Sequence, residues 1–293
     1  MTDRSQVRYA EVRPLLRSLL QKAVRRGNPK LAEIVACRLA ENGDSSWLDT
    51  RVGVIAFEEC WPYGERLLRQ LPLVSLVEMA GLTKNKEAAG LGALAHALAA
   101  GDHSVLNVAA DPLAVKIVAA SLTRTDDFFS WAGRSLGPKE NNNFLRIARA
   151  YFRRASWPWD KAFASAATYL LCSGQSLELG KASPQLGTIS QFPLWVAVDK
   201  HTPAGKAALR RTASKLRVNT NQLEWASFYF ESARCSDRKE GSWWEIEMAW
   251  RLQKIGMKVE EANALWTVAH NFVRNEVAGS CRLLEMTLGA VAD

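Results

Sequence analysis

The sequence lacks any apolar run approaching the roughly 20 residues that span a bilayer, so no membrane-crossing helix and no membrane partner are expected. Its five cysteines, Cys37, Cys60, Cys172, Cys235 and Cys281, are far apart and include no Cys-x-x-Cys pair. That excludes the common zinc spacings and fits reduced, mostly buried thiols in a cytoplasmic protein. The four histidines, His96, His103, His201 and His270, show no ligand spacing, so no metal is expected. The N-terminus, Met1-Thr2-Asp3-Arg4-Ser5, runs into a charged amphipathic pattern without a short apolar segment and small-residue cleavage site, and no secretory signal is expected. A P-loop is missing as well. It needs Gly-x-x-x-x-Gly-Lys-[Ser/Thr], because backbone amides cradle the phosphates and the hydroxyl ligates magnesium. The nearest match, Gly174-Gln175-Ser176-Leu177-Glu178-Leu179-Gly180-Lys181-Ala182, is one residue too long and ends in alanine. Neither ATPase activity nor a cofactor is expected.

What the chain does contain is helical periodicity. With 293 residues, 48% of them hydrophobic and 23% charged, it is long enough to bury a core without disulfides or metal. Clear alternating strand runs are scarce. Residues Arg8 to Arg26 place Val12, Leu15, Leu16, Leu19, Leu20 and Ala23 on one side and stop at Gly27-Asn28-Pro29, a stop signal that also starts the next helix, Lys30 to Glu41. A third helix, capped by Ser45 or Ser46, ends at Trp61-Pro62. Further helices are predicted at about 72–81, 85–99, 111–121, 141–154, 158–172, 203–216, 220–232, 241–255 and 259–278, with a last one to about 291. The expectation is an all-α, multi-helix protein: a helical half over 1–172, an ordered Gly-, Ser-, Pro- and Gln-rich loop over 173–202, and a second helical half over 203–293, the alternative being one continuous domain.

A net charge of +8 suggests an anionic partner, and its distribution is uneven. Lys200, Lys206, Arg210, Arg211, Lys215 and Arg217 follow one another with no acid before Glu224, and most of them fall on a helix. Arg146, Arg149 and Arg153, with Arg154, repeat the pattern, while Phe144, Ile147, Ala148 and Tyr151 supply the buried side. Each stripe reads either as a phosphate-facing surface or as an ordinary solvated face. Among the eleven tryptophans, Trp157 and Trp159 directly follow the second stripe and precede Asp160. They suit stacking on a base, or alternatively entry into a helix core. Trp243, Trp244, Trp250 and Trp266 have helical spacings that favour packing over stacking on nucleic acid, and Glu58 and Glu59, with Arg51 earlier on the same helix, read as a buried ion network, the alternative being a catalytic role.

Several segments resemble a known family. Gln21-Lys22-Ala23-Val24-Arg25-Arg26-Gly27-Asn28-Pro29, Ala36-Cys37-Arg38-Leu39-Ala40-Glu41-Asn42-Gly43 and Arg51-Val52-Gly53-Val54-Ile55-Ala56-Phe57-Glu58-Glu59 resemble the opening helices of the C-terminal collar of the replication-associated recombination ATPases. These are the MgsA/RarA, Werner-interacting group, relatives of clamp loaders. Met79-Ala80-Gly81-Leu82-Thr83-Lys84-Asn85-Lys86 is similar to the family's Leu-Ala-x-x-x-Lys-Ser segment, with Asn85 in place of serine, and Glu59 stands where the family has aspartate. Pro193 to Lys206, with Asp199-Lys200-His201-Thr202 inside it, is similar to a Pro-x-x-Ala-x-Asp-x-His-Thr-x-x-Gly motif of stand-alone collar-type proteins. The resemblance implies a clamp-loader-collar type of helical architecture, oligomer-forming surfaces and work at DNA forks or ends, without ATP hydrolysis. Arg25, Arg26, Lys84 and Lys86, inside these segments, join the candidate DNA contacts.

Chemistry is carried by two acidic positions. Asp199, Lys200 and His201 precede a helix that Thr202-Pro203 would open, so the cluster is either a cap and turn or a site. As a site, the Asp199 carboxylate would stabilise positive charge on a deoxyribose as its base leaves, or Lys200 would attack as an amine. Asp160 is the competing acid, beside the tryptophan pair. The expected function is therefore a DNA glycosylase-like enzyme of bacterial repair or anti-phage defence. The alternative is a non-catalytic, oligomerising collar protein that binds DNA or replication proteins.

Overall fold

The computed structural model describes residues 4–136, 142–182 and 191–289. Among these the protein is all-α: no strand forms, and sheet-like pairing is confined to isolated bridges such as Leu82 with Lys181 and Lys84 with Arg238. No described helix is long and apolar enough to cross a membrane.

In chain order the helices are α1 (Arg4–Arg25), α2 (Pro29–Glu41), α3 (Ser45–Glu59), α4 (Pro72–Ala80), α5 (Glu87–Ala99), α6 (Pro112–Ser121), α7 (Thr125–Leu136) and α8 (Asn142–Arg154), followed by α9 (Pro158–Cys172), α10 (Pro203–Leu216), α11 (Thr220–Ser227), α12 (Ser242–Lys254) and α13 (Val259–Leu288). Their ends follow from local chemistry. Asn28 accepts from the Leu31 N–H at 2.9 Å with Pro29 in the first turn of α2, and Asp111 accepts from the Ala114 N–H at 3.0 Å ahead of Pro112 in α6.

Three elements differ from the sequence expectation. Helix α7 was not expected; only the turn Leu122 to Arg124 separates it from α6, and Phe128, Phe129 and Ala132 form its buried face. The two C-terminal helices are one 30-residue helix, α13, because Gly279 sits on its exposed side where no side chain is needed for packing. Helix α11 stops at Ser227 and widens into the turn Phe228–Ser232.

The division into halves at 172 and 203 is also replaced. One unit takes its described residues from 1–45, 184–236 and 251–293, the other from 46–183 and 237–250. Helical periodicity says which face of a helix is apolar but not which other helix covers it, so an interleaved arrangement is invisible to it. In the first unit α1 packs against α2 and α13, and α13 against α10 and α11; Val12, Leu15, Leu16, Leu19, Leu20 and Ala23 of α1 are all buried. In the second, α5 lies against α9 and α6, and α8 against α9 and α7, around a core that includes Phe57, Trp61, Phe144, Tyr151 and Trp243. Gly53 lets α3 approach α8, since a β-carbon there would sit 2.6 Å from the Tyr151 ring.

Candidate functional site

In the first unit the Asp199 segment is built from the backbone outward. The Thr202 hydroxyl accepts from the Gly205 N–H at 3.1 Å and donates to the Asp199 carbonyl at 2.9 Å, capping α10. Gly205 is required here: a β-carbon would lie 1.9 Å from that same carbonyl oxygen. The Asp199 carboxylate, 3% exposed, is ion-paired with the Lys22 ammonium of α1 through Oδ2; Oδ1 accepts from the His201 N–H at 2.9 Å, and His201 Nδ1 lies 3.2 Å from Oδ2. Burial pushes the Asp199 carboxyl up, but the Lys22 ammonium and the His201 ring overcome it and hold the group well below the usual carboxylate range. Lys200 lays its ammonium 3.1 Å from the centre of the Trp225 ring, with Arg251 4.7 Å from the same ring. A cation held over an aromatic face is stabilised as a cation, the opposite of what an amine nucleophile needs. The His201 ring is exposed and stands edge-on to Phe228. The segment expected to face DNA thus spends both carboxylate oxygens inside the protein. Its partner Lys22 was not singled out in the sequence.

The candidate DNA contacts separate into buried and exposed groups. Arg25 is buried and donates to the Ser232 carbonyl, and Arg26 pairs with Glu231 through both carboxylate and carbonyl. Lys84 is buried and donates to the carbonyls of Met79, at 2.9 Å, and Leu82, closing the end of α4. Lys86 is buried, with its ammonium 3.5 Å from Glu59 Oε2, 3.9 Å from Glu58 Oε1 and 4.1 Å from the Trp244 ring centre. These four are corrected from phosphate contacts to internal supports, because a buried cation already paired cannot reach a duplex. Glu58 and Glu59 thus share the cation Lys86, a partner that the sequence did not suggest.

On α10, Lys206, Arg210, Arg211 and Lys215 are exposed, as is Arg217 just beyond, but Glu276 of α13 binds both Arg211 and Lys215. On α8, Arg146, Arg153 and Arg154 are exposed and Arg149 is half-buried; Arg149 and Arg153 share Asp126 of α7 at 2.6 and 3.6 Å.

At the α8–α9 corner the structure brings several expected groups together. Trp157 is 68% exposed, whereas Trp159 is packed, its ring stacked on His96 with centres 4.2 Å apart. Asp160, in the first turn of α9, is half-buried. Burial raises its carboxyl to about 6; Arg51 opposes this and Glu58 adds to it. Burial and the Asp160 charge also push the Tyr151 phenol far up. One exposed tryptophan, the arginine helix α8 and a carboxyl raised by burial to about 6 therefore follow one another along the chain in one all-α unit. No family model, curated protein or solved structure matches the chain.

Proposed function

We propose that this protein is a cytoplasmic DNA-binding enzyme that holds DNA along the arginine face of α8 and removes a modified or abnormal base at the α8–α9 corner by hydrolysing its N-glycosidic bond. The observation that carries this reading is the exposed Trp157, which in the chain follows the arginines of α8 and precedes Asp160, whose carboxyl burial raises to about 6. An enzyme acting on a base in duplex DNA must draw it from the stack and fill or cover the gap, and an exposed indole beside phosphate-binding cations does that work. A carboxyl whose proton affinity lies near the working pH can give a proton to a leaving base. Base removal of this kind suits bacterial repair or defence against phages with modified DNA. The test is incubation of the pure protein with plain, alkylated and hydroxymethyl-pyrimidine duplexes, followed by alkali. Strand breaks with the wild type, lost in Asp160→Asn while DNA binding persists, support the reading; intact DNA in every case removes it.

The second reading is a non-catalytic oligomer that binds DNA. It is favoured by Val268 and Phe272, four residues apart on α13 and 61% and 43% exposed, an apolar face suited to another subunit. Light scattering of wild type and Val268→Glu, in parallel with the cleavage assay, separates the two.

A further inference from the structure

The second half of α13 carries Arg274, Ala278, Cys281, Arg282 and Glu285 with the spacing of one helical face, over about 16 Å of helix. Within the first unit this face borders a half-open cleft of about 610 Å³, whose other wall is Phe192, Leu194 and Trp195 at the short turn Leu194–Ala197. A space of that volume is of the size that holds a small ligand. Its aromatic wall is set in advance. The half-buried Trp195 ring is stacked on Trp266 with centres 6.1 Å apart, and the buried Trp266 donates from Nε1 to Glu231 at 3.2 Å. The Arg274 guanidinium lies 5.6 Å from the Trp195 ring centre. Glu276 claims Arg211 and Lys215, but Arg274 and Arg282 have no carboxylate partner among the described residues. Two such guanidinium groups beside an apolar, aromatic wall match an anion joined to a flat ring: the anion takes the paired N–H donors, and the ring lies against the indole.

We infer that the cleft between α13 and residues 192–195 binds a small aromatic anion, a flat ring bearing a carboxylate or phosphate. Arg274 and Arg282 hold the anionic group, Trp195 and Phe192 cover the ring, and Glu285, near one turn past Arg282, accepts from a ring N–H or a hydroxyl of the ligand. Nucleotides and aromatic carboxylates with an N–H share this chemistry: ring, charge and donor. The inference goes beyond the base removal proposed above and does not depend on it, since the cleft belongs wholly to the first unit and α8 and α9 to the second. Cys281, half-buried in the lining, is a built-in reporter of occupancy. Burial, with the Glu285 charge adding to it, pushes its thiol up against the opposing charges of Arg274 and Arg282, so alkylation is best followed in mild alkali.

The experiment is calorimetric titration of the whole protein with adenosine 5′-monophosphate, guanosine 5′-monophosphate and indole-3-acetate. Each is run beside its uncharged counterpart, adenosine, guanosine or tryptophol, and octanoate serves as the anion without a ring. At least one ring anion should bind with a Kd of about 1 mM or tighter, and its uncharged counterpart and octanoate about tenfold more weakly or worse. Binding of the nucleotides alone, or of indole-3-acetate alone, names the source of the ligand. Arg274→Gln and Arg282→Gln change exposed side chains, so their thermal melts should match wild type while each weakens the binding about tenfold. Ala278→Phe, which puts a ring into the cleft, should abolish it. Bound ligand should slow iodoacetamide labelling of Cys281 at about pH 9, but not of Cys37 outside the lining, as read by peptide mass spectrometry. The inference is overturned if no ring anion binds, if octanoate binds as tightly as the ring anions, or if both arginine variants keep the wild-type affinity. A change of light-scattering mass in Ala278→Phe, with no probe bound by the wild type, would assign the cleft to a subunit contact instead. Base release from the duplexes is a separate readout, and its success or failure leaves this result standing.

Discussion

Lys22 stands three residues after Leu19 on the buried side of α1, where its ammonium meets the Asp199 carboxylate. Removing one member of a buried ion pair leaves the other unpaired and costs about 3–5 kcal/mol. Asp199→Asn is therefore expected to lower the urea midpoint sharply, and Lys22→Met combined with it should recover part of the loss; a midpoint within error of wild type would refute the structural part assigned to the pair. The pH dependence has a definite sign. Because Asp199 is held below its unfolded value, its contribution is complete above about pH 4 and is lost as pH falls below that. Asp160 has the opposite sign. With its folded value raised to about 6, stability is fully present below about pH 4 and declines as pH rises through 6. Asp160→Asn should thus stabilise the protein at pH 8 and leave it unchanged at pH 4, as read by thermal melts at the two values. Equal shifts at both would contradict the burial of this carboxyl.

At the level of elements, the start of α10 depends on two small features. The Thr202 hydroxyl caps the helix, and Thr202→Ala should cost about 1 kcal/mol in a denaturant titration. Gly205→Ala should be much worse, abolishing folding or its cooperativity, since a β-carbon would collide with the Asp199 carbonyl at 1.9 Å. The cap was legible in the sequence, because Thr202-Pro203 is a helix-start signal in itself. The need for glycine at 205 was not, because it arises from a backbone folded back over the first turn of the helix. The basic stripes show the same limit. Their helical spacing was legible, but the claim of Glu276 on Arg211 and Lys215, and of Asp126 on Arg149 and Arg153, depends on which helices lie alongside.

For the whole molecule, a net charge of +8 states only that an anionic partner is favoured. On the proposed reading the exposed α8 arginines carry the contact, so combined Arg146→Ala, Arg153→Ala and Arg154→Ala should flatten the salt dependence of DNA binding by roughly one unit per lost phosphate contact. Arg25→Ala, by contrast, should disturb stability and leave the slope unchanged in the folded fraction. An unchanged slope in the triple variant would move the interface away from α8. By itself the sequence determined that the chain is helical, where most helices begin and end, and which faces are apolar, because these follow from spacing and capping within a few residues. Only the tertiary structure decided that Lys22 meets Asp199, that Lys84 and Lys86 turn inward, and that the charges of Arg51 and Glu58 act on Asp160. Burial and the electrostatic field at a residue are set by chain segments distant in sequence, and no local pattern records which segments those are.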